Sequence, residues 1–136
     1  MFTCKKHIGS SAFERCSFSG TLSLSPNVTI IRSSVFSGCK FVDLLTIPEG
    51  ITDIYSSAFS GTKISSLSLP STLSSLSSYA FANSTNLNHV VSIANQAASI
   101  KSNSFKNCNP VLKLTYPSGT DYSSWASNFP GGMTGF

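Results

Sequence analysis

The chain has 136 residues and 14.4 kDa, with 40% hydrophobic residues, 10% charged residues and a net charge of +4. That is room for one domain, and ten phenylalanines supply a core that a disordered chain would lack. Lys5-Lys6 is the only basic pair. No basic stripe with interleaved aromatics marks a nucleic-acid binder, and no apolar run reaches the ~18 residues that span a bilayer.

In chain order, Met1 to His7 read as a partial unit without a Leu-x-Ile-Pro strand, and Met1 to Gly9 hold no apolar run of signal-peptide length. The first full unit is built on Ser10-Ser11-Ala12-Phe13, and that string returns. It recurs as Ser33-Ser34-Val35-Phe36, Ser56-Ser57-Ala58-Phe59, Ser78-Tyr79-Ala80-Phe81 and Ser102-Asn103-Ser104-Phe105, at intervals of 23, 23, 22 and 24 residues. A near-constant period in the twenties predicts a solenoid whose coils stack on one another.

Aligned on the phenylalanine, the other columns fall into register. Five residues before it stand Ile8, Ile31, Ile54, Leu76 and Ile100; three after it stand Cys16, Cys39, Thr62, Ser84 and Cys108. Further on come apolar alternations, Leu22/Leu24, Leu45/Ile47, Leu67/Leu69, Val91/Ile93 and Leu114/Tyr116. Period 2 puts each pair on one face of a short strand, and the prolines at 48, 70 and 117 end it. The serine three before the phenylalanine is placed to N-cap a short 3₁₀ turn. Two residues past it Gly38, Gly61, Asn83 and Asn107 tolerate a left-handed turn end, where Arg15 departs from the pattern. Beyond Pro117, Tyr122, Trp125 and Phe129 replace the aliphatics of a coil that does not complete. Residues 118–136 are therefore expected to form a C-terminal cap followed by a loose tail from Pro130. The whole chain, residues 1–136, is read as one domain, with repeats over 8–117.

The run Ile31-Arg32-Ser33-Ser34-Val35-Phe36-Ser37-Gly38-Cys39, then Leu45-Thr46-Ile47-Pro48 with Ile51 and Ile54, resembles the BspA-like class of leucine-rich repeat. The resemblance covers about Ile8 to Pro117. It implies a β-rich solenoid, a short right-handed leucine-rich-repeat array of about five coils with turn or 3₁₀ segments opposite the strands. It also implies a non-enzymatic protein-binding module, of the surface or secreted adhesin kind that meets host or matrix proteins. The alternative is an intracellular scaffold built into a larger assembly, favoured by the missing signal segment. The open first coil adds self-association as a third kind of contact.

Between the inward residues of each unit stands a hydroxyl: Ser23, Thr46, Ser68, Ser92, Thr115. Two positions earlier the column varies freely, as Thr21, Leu44, Ser66, Val90, Lys113. A uniform column beside a variable one is how a repeat scaffold presents a recognition surface, although hydroxyl ladders also suit an exposed strand on structural grounds alone. These ten residues form the candidate binding surface.

Chemistry is harder to find. Catalytic residues are not expected, since the serines are explained by the repeat and His89 has no carboxylate in its coil. A metal site is not expected either, because no Cys-x-x-Cys exists and His7 and His89 are several coils apart. No phosphate-cradling glycine loop or other cofactor motif is present. Cys16 and Cys39 lie in one column of neighbouring coils, close enough for a candidate disulfide. Asn27-Val28-Thr29 and Asn83-Ser84-Thr85 fit the N-glycosylation pattern.

Overall fold

The computed structural model describes Phe2–Cys4, residues 9–16 and residues 22–136. Among the described residues eleven short strands follow one another: β1 (Phe2–Cys4), β2 (Leu22–Leu24), β3 (Ile30–Ile31), β4 (Val42–Thr46), β5 (Asp53–Ile54), β6 (Lys63–Leu69), β7 (Ser75–Leu76), β8 (His89–Ser92), β9 (Ser99–Ile100), β10 (Lys113–Tyr116) and β11 (Met133–Gly135). The one helix among the described residues is a 3₁₀ segment, Ser123–Asn128. Every strand pair is parallel, because each strand meets its counterpart one coil away. Three sheets result, in the orders β1-β2, β11-β10-β8-β6-β4 and β3-β5-β7-β9. The chain is a parallel β-solenoid of about five coils.

The recurring phenylalanines run through the middle as a ladder. Ring centroids lie 5.9 Å apart for Phe13 and Phe36, 5.2 Å for Phe36 and Phe59, 5.2 Å for Phe59 and Phe81, and 5.5 Å for Phe81 and Phe105. Interplanar angles of 3–18° make these parallel stacks, within the range where aromatic pairs add to their area burial. Ile31, Ile54 and Leu76 line one side of the ladder, and Leu45, Leu67, Val90 and Leu114 line the other, all buried. Ile8 and Thr21 lie outside the described residues.

The turn carrying each phenylalanine is closed by backbone bonds and not by the expected serine cap. In the third unit Ala58 N–H donates to Tyr55 O at 3.2 Å and Ser60 N–H to Ser57 O at 3.1 Å. Ser11, Ser34, Ser57 and Tyr79 take φ of 58–60°, the positive value that the third residue of a type II turn requires. Ser33 and Ser56 are thus second residues of a turn, where no cap geometry exists. Arg15 departs from the pattern in sequence yet follows it in conformation, with φ 57°.

What over-determines this strain is the next coil. Arg15, Gly38, Gly61 and Asn83 each donate their N–H to a carbonyl one coil on, at 2.6–2.8 Å. Phe13, Phe36, Phe59 and Phe81 do the same at 2.8–3.0 Å. A buried backbone group left unpaired costs about 1–3 kcal/mol, so a turn that pairs with both neighbours tolerates several left-handed residues.

Three expectations about the strands and ends change. First, the fourth unit is registered one residue earlier than its apolar pattern suggests. Leu67 pairs with Val90 and Leu69 with Ser92, so Val90 and Ser92 face inward while Ile93 is 47% exposed. Second, the last coil completes. Phe129 packs against Phe105 with ring centroids 5.1 Å apart and planes tilted by 51°, and β11 pairs with β10 in register, so the stretch expected as loose tail contains a strand. Third, Phe2–Cys4 forms a strand paired with Leu22–Leu24, where the sequence offered no Leu-x-Ile-Pro signal.

Candidate functional site

The five-stranded sheet presents two outward columns. The first runs Thr46, Ser68, Val91, Thr115 and Thr134; the second runs Leu44, Ser66, His89 and Lys113. Thr46, Ser68, Thr115, Leu44, Ser66 and Lys113 therefore stand side by side on one face. Ser92 and Val90 do not: they are 3% and 0% exposed, and Val91 and His89 hold the places assigned to them. The hydroxyl ladder is broken at its fourth rung by a valine. Ser23 lies in the separate sheet with β1, half-buried, and does not extend the column.

The slip has a physical cause. Ser92 faces the core because its hydroxyl is satisfied there, 2.6 Å from the Tyr122 hydroxyl, which itself donates to Ala94 O at 3.2 Å. An inward polar residue with a partner supplied 30 residues later leaves no trace in local hydrophobic periodicity. Burial pushes the Tyr122 phenol above its ordinary pKa, partly offset by the bond to Ser92.

On this face His89 Nε2 lies 2.8 Å from Thr115 Oγ1, which gives the imidazole a neighbour across the strands and no carboxylate. Leu44 is 60% exposed and Val42 48%; with Ile93 they make the apolar part of the surface. β4 is also the edge strand of its sheet. Sequence reading included Leu44 but passed over Val42, His89 and Ile93, because the first precedes the repeat's strand pattern and the others were assigned to different columns.

The carboxylates that stand around one coil are engaged in stacking. Glu49 accepts from the N–H and the hydroxyl of Ser71, each at 2.8 Å, and the Ser71 N–H above all holds its pKa below the ordinary value. Asp53 accepts from Ser75 Oγ at 2.6 Å and from Thr52 Oγ1 at 2.7 Å. Both tie a coil to a neighbour or to itself, and neither is presented as a pair for acid–base work.

The cysteine column has a role of the same kind. Cys39 Sγ donates to Phe13 O at 3.0 Å, Ser84 Oγ to Phe59 O at 3.5 Å and Cys108 Sγ to Phe81 O at 3.2 Å. Thr62 and Ser84 hydroxyls meet at 3.1 Å. The slot takes small residues with a donor, which Cys39, Ser84 and Cys108 give to the carbonyl of the previous coil's phenylalanine and Thr62 shares with Ser84. Cys16, Cys39 and Cys108 are free thiols; the expected bridge between Cys16 and Cys39 is not formed. Among the described residues no cluster of His, Cys, Asp and Glu could hold a metal ion.

Burial pushes the Cys108 pKa from the usual thiol value up to about 11, with a smaller opposing effect from the Ser84 backbone. A thiol whose folded pKa is raised favours the folded state below the unfolded pKa and loses that contribution as pH climbs through the folded one. Cys108 should therefore react slowly with a thiol reagent at pH 8 and speed up towards pH 11. Stability should fall over the same interval, and the fall should shrink in Cys108→Ser. Fast labelling of native protein at pH 8 would contradict this burial.

A model of the BspA type leucine-rich repeat region matches residues 6–126, in six copies. The chain belongs to this family. No curated relative and no solved structure matches it. Leucine-rich repeats of the BspA type serve in general as non-enzymatic protein-interaction modules, and no helix among the described residues is long and apolar enough to cross a membrane.

Proposed function

We propose that this BspA-type array is an adhesin-like module whose five-stranded face binds a host or matrix protein. The supporting observation is the composition of that face. Leu44, Val42 and Ile93 are large apolar side chains held open to solvent, beside hydroxyls and the His89–Thr115 pair. Exposed apolar side chains at the edge strand β4 and past the end of β8, interspersed with polar ones, give the mixed character of a protein interface. Leu44→Asp should weaken binding of a matrix partner by about tenfold or more, as an interface anchor does. The fold should survive, because the residue is exposed.

The alternative reading, a scaffold subunit inside a larger assembly, draws on the same face. Cellular location separates them. A membrane-impermeant amine reagent applied to intact cells should tag the adhesin through its exposed lysines. Failure to tag the protein on intact cells, with tagging after lysis, would sink the adhesin reading.

A further inference from the structure

We propose that the turn side of the fifth coil carries a binding site for an acidic sugar. The ladder that joins each turn to the next coil stops there. In the four preceding coils the residue two past the phenylalanine donates its N–H to the next coil. After Phe105 the chain leaves the pattern as the 3₁₀ segment Ser123–Asn128. Only the Phe105 N–H is taken up, by Asn128 Oδ1 at 3.4 Å, while Asn128 Nδ2 donates to Lys101 O at 3.2 Å. The Asn107 N–H has no protein partner among the described residues.

Where the last coil carries this 3₁₀ segment in place of the repeat's turn, there is an open cavity of about 450 Å³, the size class of small-ligand sites. Asn103, Lys106, Asn107, Asn109 and Asn128 line it over Phe105. Asn103 Oδ1 is buried and has no hydrogen-bond partner, which costs free energy until a donor arrives. Asn107 Nδ2 is held by Asn83 Oδ1 at 3.0 Å, and Asn109 Oδ1 accepts from Val111 N–H at 3.0 Å, so both amides are fixed in orientation. Lys106 sits 5.9 Å from the centre of the Tyr79 ring. Arg32 and Lys101 occupy one repeat column along the same turn side, both exposed.

This set selects a class of ligand. Lys106 and the Asn107 N–H call for an anionic oxygen. The buried Asn103 Oδ1 calls for a donor, which neither sulfate nor a carboxylate supplies, and the hydroxyl-bearing ring of a sugar places one beside an anion. A sugar bearing a carboxylate or sulfate offers hydroxyl donors and an anion on one rigid ring. A single-stranded nucleic acid fits less well, since bases seek open aromatic faces and Lys106 already covers Tyr79. The site lies on the turns, away from the strand face, so its fate is independent of the protein-binding reading.

Titration of the full chain by calorimetry tests it. The probes are a hexasaccharide of alternating glucuronate and N-acetylglucosamine, a neutral N-acetylglucosamine hexamer, and a thymidine hexanucleotide. The acidic sugar should bind, weaken with added salt, and outcompete both other probes. Lys106→Ala and Asn103→Leu should each lower its affinity by about tenfold, whereas Leu44→Asp on the strand face should not, with thermal unfolding showing all three variants folded. No binding of the acidic sugar, equal binding of the neutral one, or equal binding of the oligonucleotide with no effect of Asn103→Leu would each overturn the proposal.

Discussion

Replacing Phe59 with alanine is expected to destabilise the fold by about 3–5 kcal/mol, the largest effect of any single truncation in the ladder. Phe59 is fully buried and stacks on Phe36 and on Phe81, each at 5.2 Å, and meets Phe41 at 6.5 Å. Its backbone is fixed on both sides, since its N–H donates to Ala80 O at 2.8 Å and its carbonyl accepts from Ser84 Oγ at 3.5 Å. The surrounding turns are held by inter-coil bonds and cannot collapse into the space, so the cavity term adds to the lost transfer energy. Because a solenoid's stability is carried by nearest-neighbour interfaces, a gap in the third coil breaks two of them at once. Phe13→Ala should cost less, because Phe13 is only partly buried. Urea unfolding of the two variants measures the difference, and a Phe59→Ala cost under about 1 kcal/mol would mean that the ladder is not the core.

Trp125→Ala is expected to be nearly as damaging, and in a different way. The sheet β3-β5-β7-β9 ends at β9, and an uncovered strand edge invites association. The 3₁₀ segment covers it with side chains in place of a backbone ladder. Trp125 Nε1 donates to Ala98 O at 2.9 Å, Tyr122 OH to Ala94 O and Asn128 Nδ2 to Lys101 O, each at 3.2 Å. Trp125 also stacks on Phe129 at 6.0 Å and meets Tyr122 edge-on at 5.2 Å. Truncation removes the ring, about 3–5 kcal/mol, and leaves the Ala98 carbonyl open. Trp125→Phe keeps a ring and loses the donor, so about 1–3 kcal/mol is expected. Size-exclusion chromatography should show Trp125→Ala self-associating while Trp125→Phe stays as the parent. An alanine variant that unfolds at the parent's urea midpoint would contradict the covering role.

How much of this was legible beforehand differs by element. The phenylalanine column was readable because five identical side chains recur at one period and each carries the same core task. The aliphatic column before it was readable for the same reason. The fourth unit was misregistered because two readings of His89-Val90-Val91-Ser92-Ile93 differ by one residue, and hydrophobicity favours the wrong one. The choice is made by Tyr122, distant in sequence, whose hydroxyl makes an inward Ser92 acceptable. Phe129 reads in sequence as a cap residue because Trp125 and Tyr122 disguise its coil. The column of Cys16, Cys39, Thr62, Ser84 and Cys108 is visible in the sequence, but the hydrogen bonds of Cys39, Ser84 and Cys108 to a preceding phenylalanine carbonyl are visible only with atoms in place. The candidate surface follows the same register: six of its ten positions share one face, Ser23 lies in a separate sheet, Thr21 lies outside the described residues, and Ser92 and Val90 are core.

The measurement closest to the centre of this account is binding of the intact chain to purified matrix proteins by surface plasmon resonance. The comparison is with a Val42→Asp/Leu44→Asp variant and with Tyr55→Ala on the turn side, all verified as folded by circular dichroism. At least one matrix protein should bind the parent and Tyr55→Ala alike, and the strand-face variant should lose about tenfold or more. Undiminished binding by the strand-face variant, or loss confined to Tyr55→Ala, would contradict the assignment of recognition to the five-stranded face.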